Sequence, residues 1–184
     1  SFDESREMDP QQRVLIASCH QYFVGSGLSI QDFQGYQTGI YLGVMWTEYQ
    51  HLFRFFNPGR NSSYSGTGNG LSFLVGRPSF VFGLTGPCCV TDTACSSSLV
   101  ALHLSQHALI SDECDEVFVG GLQCMLLAET FMILNNLKAL SSDGRCKTLD
   151  IAANGYGRGE GFALLYVERC GEQSSEWHNI RIRG

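Results

Sequence analysis

The chain has 184 residues, 43% hydrophobic and 16% charged, so it can bury a core and is most simply one domain or part of one. A formal net charge of −6 without any basic run argues against binding to nucleic-acid backbones. The eight cysteines are irregularly spaced and form no C-x-x-C pair, which argues against a disulfide scaffold and a zinc site, and no apolar run reaches the roughly 18–20 residues of a membrane span. We therefore expect an intracellular protein without a metal site, most simply cytoplasmic, with a plastid left open.

The first predicted elements are a helix and a buried strand. Asp9 and Pro10 are typical of an N-cap and a first helical residue, and the helix should end at Gly25. Its predicted apolar face consists of Val14, Leu15, Tyr22 and Phe23. Residues 39–45 form a short apolar run rich in β-formers, which predicts a buried strand.

A turn-rich segment follows at residues 61–70, and its glycines lack the GxGxxG spacing of a dinucleotide site. Residues 71–76 are predicted to form a short helix. Because a proline cannot donate to a strand ladder, we expect the strand around Phe80 to begin after Pro78. The sequence from Phe80 to Val90 is rich in β-formers.

Cys95 falls where this strand gives way to a predicted helix over residues 99–110. The first N–H groups of a helix carry partial positive charge, so a thiol there ionises more readily and becomes a better nucleophile. Its neighbours, Ala94 and residues 96–98, are all small and leave room for a substrate. A buried structural cysteine is the competing interpretation, and the position alone leaves both open.

The second half predicts a strand at residues 114–121, which completes a β-α-β unit with parallel strands. Residues 129–140 form a predicted helix whose core stripe is Phe131, Leu134, Leu137 and Lys138. Glycine then occupies every second place from Gly155 to Gly161, and Arg158 and Glu160 are predicted to pair on one side of this segment. Residues 162–168 and 179–183 close the chain as two antiparallel strands.

The stretch DTACSSSLVALH at residues 92–103 resembles the nucleophile motif of the β-ketoacyl synthases, in particular the ketosynthase domains of polyketide synthases and type I fatty acid synthases. Four further segments support the resemblance in the family's order: MDPQQR at 8–13, GTGNGLSFLVGR at 66–77, FGLTGP at 82–87 and SSDGRCKTLDIAANGYGRGEG at 141–161. The resemblance implies an α/β thiolase-like fold, layered αβαβα and here incomplete. We therefore expect residues 1–184 to be the N-terminal portion of a ketosynthase domain, without its C-terminal half.

The same resemblance implies that Cys95 is catalytic and carries an acyl group as a thioester during decarboxylative Claisen condensation. No cofactor would bind directly, because the substrates arrive on the phosphopantetheine of an acyl carrier protein. Further implied partners are the remainder of the ketosynthase or megasynthase and a second copy, paired through the strand that leads into Cys95. Met45, Trp46 and Tyr49 would shape the substrate cavity, with simple aromatic packing as the alternative.

Other functions stay open from the sequence. The family's second oxyanion donor and its two catalytic histidines are implied to lie in the later half, so an inert ketosynthase-like fragment with a structural or assembly role is the main alternative. A cysteine hydrolase is disfavoured because Ala94 and Ser96 do not fit the G-x-C-x-G elbow. His103 and His107 share a helix face, but without a third ligand they favour a packed or solvated pair over a metal site.

Overall fold

The structure is a computed structural model that describes residues 1–27, 29–59, 62–169 and 180–183. In these residues the helices are α1 (Phe2–Glu7), α2 (Pro10–Gly25), α3 (Glu48–Phe56), α4 (Tyr64–Thr67), α5 (Leu71–Phe82), α6 (Ser97–Ile110) and α7 (Ala128–Asn136). The strands are β1 (Thr38–Gly43), β2 (Cys88–Thr91), β3 (Glu116–Gln123), β4 (Gly161–Arg169) and β5 (Ile180–Arg183). Short 3₁₀ turns occur at Ile30–Phe33 and Ala94–Ser96.

The strands form one sheet in the order β2-β1-β3-β4-β5. β1 runs parallel to both β2 and β3, whereas β4 is antiparallel to β3 and to β5. The predicted parallel β-α-β unit and the antiparallel closing strands are therefore confirmed, although Asn179 lies outside the described residues. All six residues of β1 are buried, as expected for a central parallel strand covered on both faces.

Helices cover both faces of the sheet. On one face α2 and α5 pack against alternate residues of β1, including Ile40 and Leu42, and the Phe23 ring lies edge-on to Phe118 at 5.5 Å. On the other face α6 packs against Tyr41 and the alternate residues of β3. Because side chains alternate between the two faces of a strand, the same strands supply different residues to two separate apolar cores.

Helix α2 begins as predicted, with the Asp9 side chain accepting a hydrogen bond from the Gln11 amide at 2.8 Å. Its apolar face is only partly as predicted. Leu15 and Phe23 are fully buried, whereas Val14 is exposed because it points away from the sheet.

Helix α5 contradicts the prediction that a strand starts after Pro78. It runs through Pro78 to Phe82 and ends at Gly83, whose φ of 71° is the left-handed conformation common at helix ends. Leu74, Pro78 and Phe82 are all buried, at the four-residue spacing of one helix face, so packing against the sheet outweighs the hydrogen bond that the proline removes. The strand itself is only Cys88–Thr91, and Phe80 is 89% exposed on the helix.

Helix α7 is shorter than predicted and its core stripe is mostly wrong. It ends at Asn136, so Leu137 and Lys138 follow the helix, with Lys138 at a φ of 55°. Leu134 is buried, whereas Phe131 and Leu137 are 40% and 69% exposed. Only one side of this helix therefore meets the rest of the described chain.

The first turn of α6 lies unusually close to the sheet. A Cβ atom on Gly43, the last residue of β1, would overlap the backbone of Ser97 and Ser98. A Cβ on Gly121 of β3 would lie 2.9 Å from the Ser98 Cβ, which is also too close. These two glycines let the helix start rest directly on both strands.

Each helix in the described residues is too short or too polar to cross a membrane.

We expect Gly43→Ala to lower the free energy of unfolding by about 1–3 kcal/mol, because the new methyl group meets backbone atoms that cannot rotate away. Gly76→Ala, in the interior of α5 with open space around its Cβ position, is the control and should stabilise by up to about 1 kcal/mol. Urea denaturation of both variants measures the difference. A Gly43→Ala protein as stable as the parent would show that α6 is not held against β1.

Candidate active site

Cys95 is presented on a sharp turn between β2 and α6. The turn includes the 3₁₀ segment Ala94–Ser96, and the helix begins two residues after the cysteine, at Ser97. Ala94 has a φ of 58°, a left-handed conformation that costs a non-glycine residue of order 1–3 kcal/mol. Cys95 itself is exposed. The structure therefore shows an accessible thiol at a strained strand-to-helix turn.

Hydrogen bonds on both sides of Cys95 hold this strained turn. The Ala94 amide donates to Asp92 Oδ1 at 3.1 Å. The Thr93 amide donates to Ser97 Oγ at 2.9 Å, and the same hydroxyl donates to the Ala94 carbonyl at 2.6 Å. Ser97 is buried and its hydroxyl makes two of these bonds, so those two are partly shielded from competing water and stabilise the turn.

A largely apolar cleft of about 960 Å³ opens beside Cys95. Met45 and Trp46, which follow β1, line it together with the cysteine, so the structure brings these predicted residues into one site. Other apolar lining residues come from four elements: Leu99 and Leu102 of α6, Val119 and Leu122 of β3, Leu134 of α7, and Phe162 and Leu165 of β4. An apolar lining of this kind suits a hydrophobic chain attached to the sulfur.

Tyr49 lies elsewhere and is not among the residues that line the cleft. Its hydroxyl donates to the Arg6 carbonyl at 2.6 Å, and its ring centroid lies 6.1 Å from that of Phe53 and 6.0 Å from the Arg13 guanidinium carbon. Tyr49 therefore fits the alternative given by the sequence, simple aromatic packing.

Residues 156–159, interpreted from the sequence as a structural signature, are part of the cleft wall. The alternating glycines were the sequence signal for this position, because they leave one face of an extended segment without side chains. The predicted pairing of Arg158 with Glu160 is wrong. Arg158 Nη2 instead lies 3.4 Å from Glu48 Oε1, and Glu160 Oε2 accepts a hydrogen bond from the Met125 amide at 3.1 Å.

The described cysteines differ sharply in environment. Burial raises the pKa of Cys19 to about 12. Burial, together with the negative charges of Glu113 and Asp115, raises the pKa of Cys114 to about 11. Burial and nearby carboxylates also raise the pKa of Cys124. These three thiols are protonated and unreactive at neutral pH.

Of the other described cysteines, Cys89 is half-buried, and Cys88, Cys95 and Cys146 are exposed. Cys88 Sγ lies 3.0 Å from Ser79 Oγ, within hydrogen-bonding distance, and Cys146 Sγ accepts from the Gly157 amide at 3.2 Å. Among the cysteines that the structure describes, Cys95 is the one that lines the cleft.

None of the four histidines in the described residues lines the cleft, and His178 lies outside those residues. His103 and His107 are exposed on α6, with ring centroids 4.6 Å apart in an edge-to-face arrangement. No group of three or more His, Cys, Asp or Glu side chains in the described part of the chain is placed to hold a metal ion.

Comparison with known proteins gives a consistent result. Residues 1–172 match the family model of the β-ketoacyl synthase N-terminal domain. A highly reducing polyketide synthase of Didymella fabae is 39% identical over 184 residues, covering 99% of this chain and 10% of that protein. The pikromycin polyketide synthase component PikAII of Streptomyces venezuelae is 38% identical over 178 residues, covering 96% of this chain and 5% of the relative.

Solved ketosynthase structures are also similar to this chain. The ketosynthase from module 6 of the Bacillus subtilis 168 bacillaene synthase superposes with a TM-score of 0.80 at 34% identity, covering 92% of this chain and 28% of that one. A Streptomyces albus oxazolomycin ketosynthase domain gives a TM-score of 0.77 at 29% identity, covering 92% and 30%. The predicted thiolase-like fold is confirmed. The chain spans at most a tenth of these curated relatives and under a third of these solved ketosynthases.

We expect Cys95 to react first among the eight cysteines when the folded protein is treated with limiting iodoacetamide. Its thiol is exposed at the start of a helix, whereas the buried thiols are protonated and inaccessible. Peptide mapping by mass spectrometry locates the adducts, with Cys95→Ala as the control. Adducts at any other cysteine while Cys95 stays unmodified would contradict this assignment.

Proposed function

The chain belongs to the β-ketoacyl synthase family, and we propose that it is the nucleophile-bearing N-terminal portion of a ketosynthase that extends polyketide chains. The observation that carries this proposal is the placement of Cys95, exposed on a strained turn at the start of α6 and beside an apolar cleft. Residues 1–184 would then work together with the remainder of a larger synthase.

The first step we propose is acyl transfer to Cys95. The thiolate attacks the carbonyl carbon of an acyl thioester carried by the phosphopantetheine arm of a carrier protein. A new carbon–sulfur bond forms at Cys95, the bond to the arm's sulfur breaks, and the arm leaves as a thiol after taking up a proton. The backbone N–H of Cys95 would donate to the oxyanion, and Met45 and Trp46 would contact the apolar acyl chain.

The second step is decarboxylative condensation. A malonyl thioester loses carbon dioxide, and the electron pair of the broken carbon–carbon bond becomes an enolate. Its carbon attacks the Cys95 thioester, which releases the Cys95 thiolate and leaves the lengthened chain on the carrier. The enolate needs imidazole or amide donors for stabilisation, and the family resemblance assigns these to the later half.

A second copy of the chain is the other proposed partner. Strand β2 is an outer strand of the described sheet, so one of its edges lacks a strand partner there. The sequence predicted that the pairing strand lies around Phe80, but Phe80 belongs to helix α5, so the pairing strand we propose is Cys88–Thr91. An exposed strand edge favours association with another strand.

An inert fragment with an assembly role is the competing function, and it is favoured because none of the described histidines lines the cleft. The presence of an accessible Cys95 in a substrate-sized cleft favours catalysis. A cytoplasmic location remains a prediction.

We expect the full-length protein to condense acyl and malonyl carrier proteins, and the 184-residue chain alone to release almost no product. Each missing acid–base group contributes about 10²–10⁴-fold to rate, and an oxyanion donor about 10²–10³-fold, though such effects are not additive. Carbon dioxide release and ketoacyl product, followed by mass spectrometry, measure this.

Two variants of the full-length protein sharpen this assay. Cys95→Ala should abolish acyl loading, and a His103→Ala/His107→Ala double variant should leave condensation unchanged. Steady condensation by the 184-residue chain would overturn the assignment of the acid–base groups to another part of the synthase. An inactive full-length protein that still folds would favour the assembly role.

We also expect the full-length protein to self-associate through β2. Cys88 is the exposed residue of this outer strand, so Cys88→Lys adds a charge beside the proposed contact and should shift sedimentation toward the monomer, whereas Cys146→Lys, on a loop, should not. A parent protein that sediments as a monomer at high concentration would contradict the proposed pairing.

A further inference from the structure

A buried ion pair lies behind one wall of the cleft. Glu48 is the first residue of α3, and its side chain is 2% exposed. Arg158 Nη2 lies 3.4 Å from Glu48 Oε1, and the Arg158 side chain is 6% exposed. Arg158 lines the cleft whereas Glu48 does not, so the carboxylate lies behind the lining residues.

The other oxygen of Glu48 holds the chain segment that leads into α7. Oε2 accepts hydrogen bonds from the Leu126 and Leu127 amides, both at 2.6 Å, and the Thr130 side chain also bonds to the carboxylate. This segment joins β3 to α7, and α7 contributes Leu134 to the cleft. One carboxylate therefore fixes two parts of the same wall.

The two amides just before this pair are held in the same way from other elements. Gln11 Oε1 accepts from the Cys124 amide at 3.2 Å, and Glu160 Oε2 accepts from the Met125 amide at 3.1 Å. Four consecutive amides after β3 thus bind side chains instead of backbone carbonyls. The position of this irregular segment depends on those side chains.

Arg158 needs the negative charge of Glu48. Its Nη1 atom is buried without a hydrogen-bond partner in the described residues, and its guanidinium carbon lies 4.4 Å from the Phe131 ring centroid. A buried cation that loses its anionic partner is strongly disfavoured and moves toward water. Burial alone would raise the pKa of Glu48, but the hydrogen bonds from Thr130, Leu127, Leu126 and Arg158 outweigh burial and lower it, so the carboxylate is charged at neutral pH.

We propose that Glu48 is a positioning residue of the cleft, which holds Arg158 and, through the start of α7, Leu134 in the places where they contact a hydrophobic chain attached to Cys95. It touches neither the chain nor the sulfur. The identity of that chain as an acyl group rests on the proposed function, but the positioning itself concerns only the cleft.

The test compares two alkylating probes on the full-length protein, iodoacetamide and N-octyl iodoacetamide. Each forms a bond between its methylene carbon and Cys95 Sγ and releases iodide, so both report the same sulfur. The ratio of the two rate constants, octyl over unsubstituted, measures how well the cleft holds an eight-carbon chain. Adduct formation at Cys95 is followed by mass spectrometry.

Glu48→Gln is the main variant, since it keeps the shape of the side chain. Its amide must turn an N–H₂ group either toward Arg158 or toward the Leu126 and Leu127 amides, so one set of bonds is lost. We expect the ratio to fall about tenfold, the loss of contact with about two methylene groups at roughly 0.8 kcal/mol each, while the iodoacetamide rate changes less than about twofold.

Two further variants separate positioning from folding. Glu4→Gln breaks the Arg77 Nη1–Glu4 Oε1 pair of 2.6 Å, whose residues do not line the cleft, and should leave the ratio unchanged. Phe131→Leu removes the ring beside Arg158 at a position that is 40% exposed, so it should fold and lower the ratio in the same direction. Thermal denaturation reports the folded fraction of each.

Three results would overturn the proposal. The first is an unchanged ratio in folded Glu48→Gln. The second is an equal fall of both rate constants in this variant, which indicates a purely structural role. The third applies if Glu48→Gln does not fold, and is an unchanged ratio in Phe131→Leu. The probes need no carrier protein, so the predicted fall in a protein that fails to condense would refute the proposed function and leave the positioning role standing.

Discussion

The close approach of the first turn of α6 to strands β1 and β3 is the constraint on which the site depends. Gly43 and Gly121 leave no side chain between the strands and Ser98, so the helix begins directly over the sheet. The chain leaving β2 must then turn sharply, and Ala94 takes a left-handed conformation to do so. Partly buried hydrogen bonds to the Ser97 hydroxyl offset the cost of that conformation, and no glycine removes it, which keeps the turn rigid.

The same fold buries some of the described thiols and leaves others accessible. Cys19 packs in the core on one face of the sheet and Cys114 on the other, where water is excluded and the charged form is disfavoured. Cys95 follows the carboxyl end of β2, outside both cores, which is where ligands bind in parallel sheets. A single fold thus holds inert and accessible cysteines without any change in residue type.

The sequence predicted well where local chemistry and packing agree. Asp9 with Pro10, the apolar run of β1 and the strand-to-helix change at Cys95 were all correct, because capping, periodicity and burial favour the same structure there. The strand predicted after Pro78 was wrong, because burial of Pro78 against the sheet stabilises the helix more than the lost hydrogen bond destabilises it. This burial is visible only in the packed structure. Tyr49 and Arg158 depended on partners more than 40 residues away, and no local pattern carries that information.

The cleft combines two kinds of wall with different physical consequences. The side formed by α6, β3 and β4 consists of apolar residues on regular elements, fixed by the same cores that stabilise the fold. The side formed by residues 156–159 and α7 stands on irregular backbone, which must satisfy its amides through side chains such as Glu48. Because ionic hydrogen bonds are directional whereas apolar contacts are not, the second wall is fixed in position by a few groups. A change of one such group therefore alters the shape of the cleft with little change in its polarity.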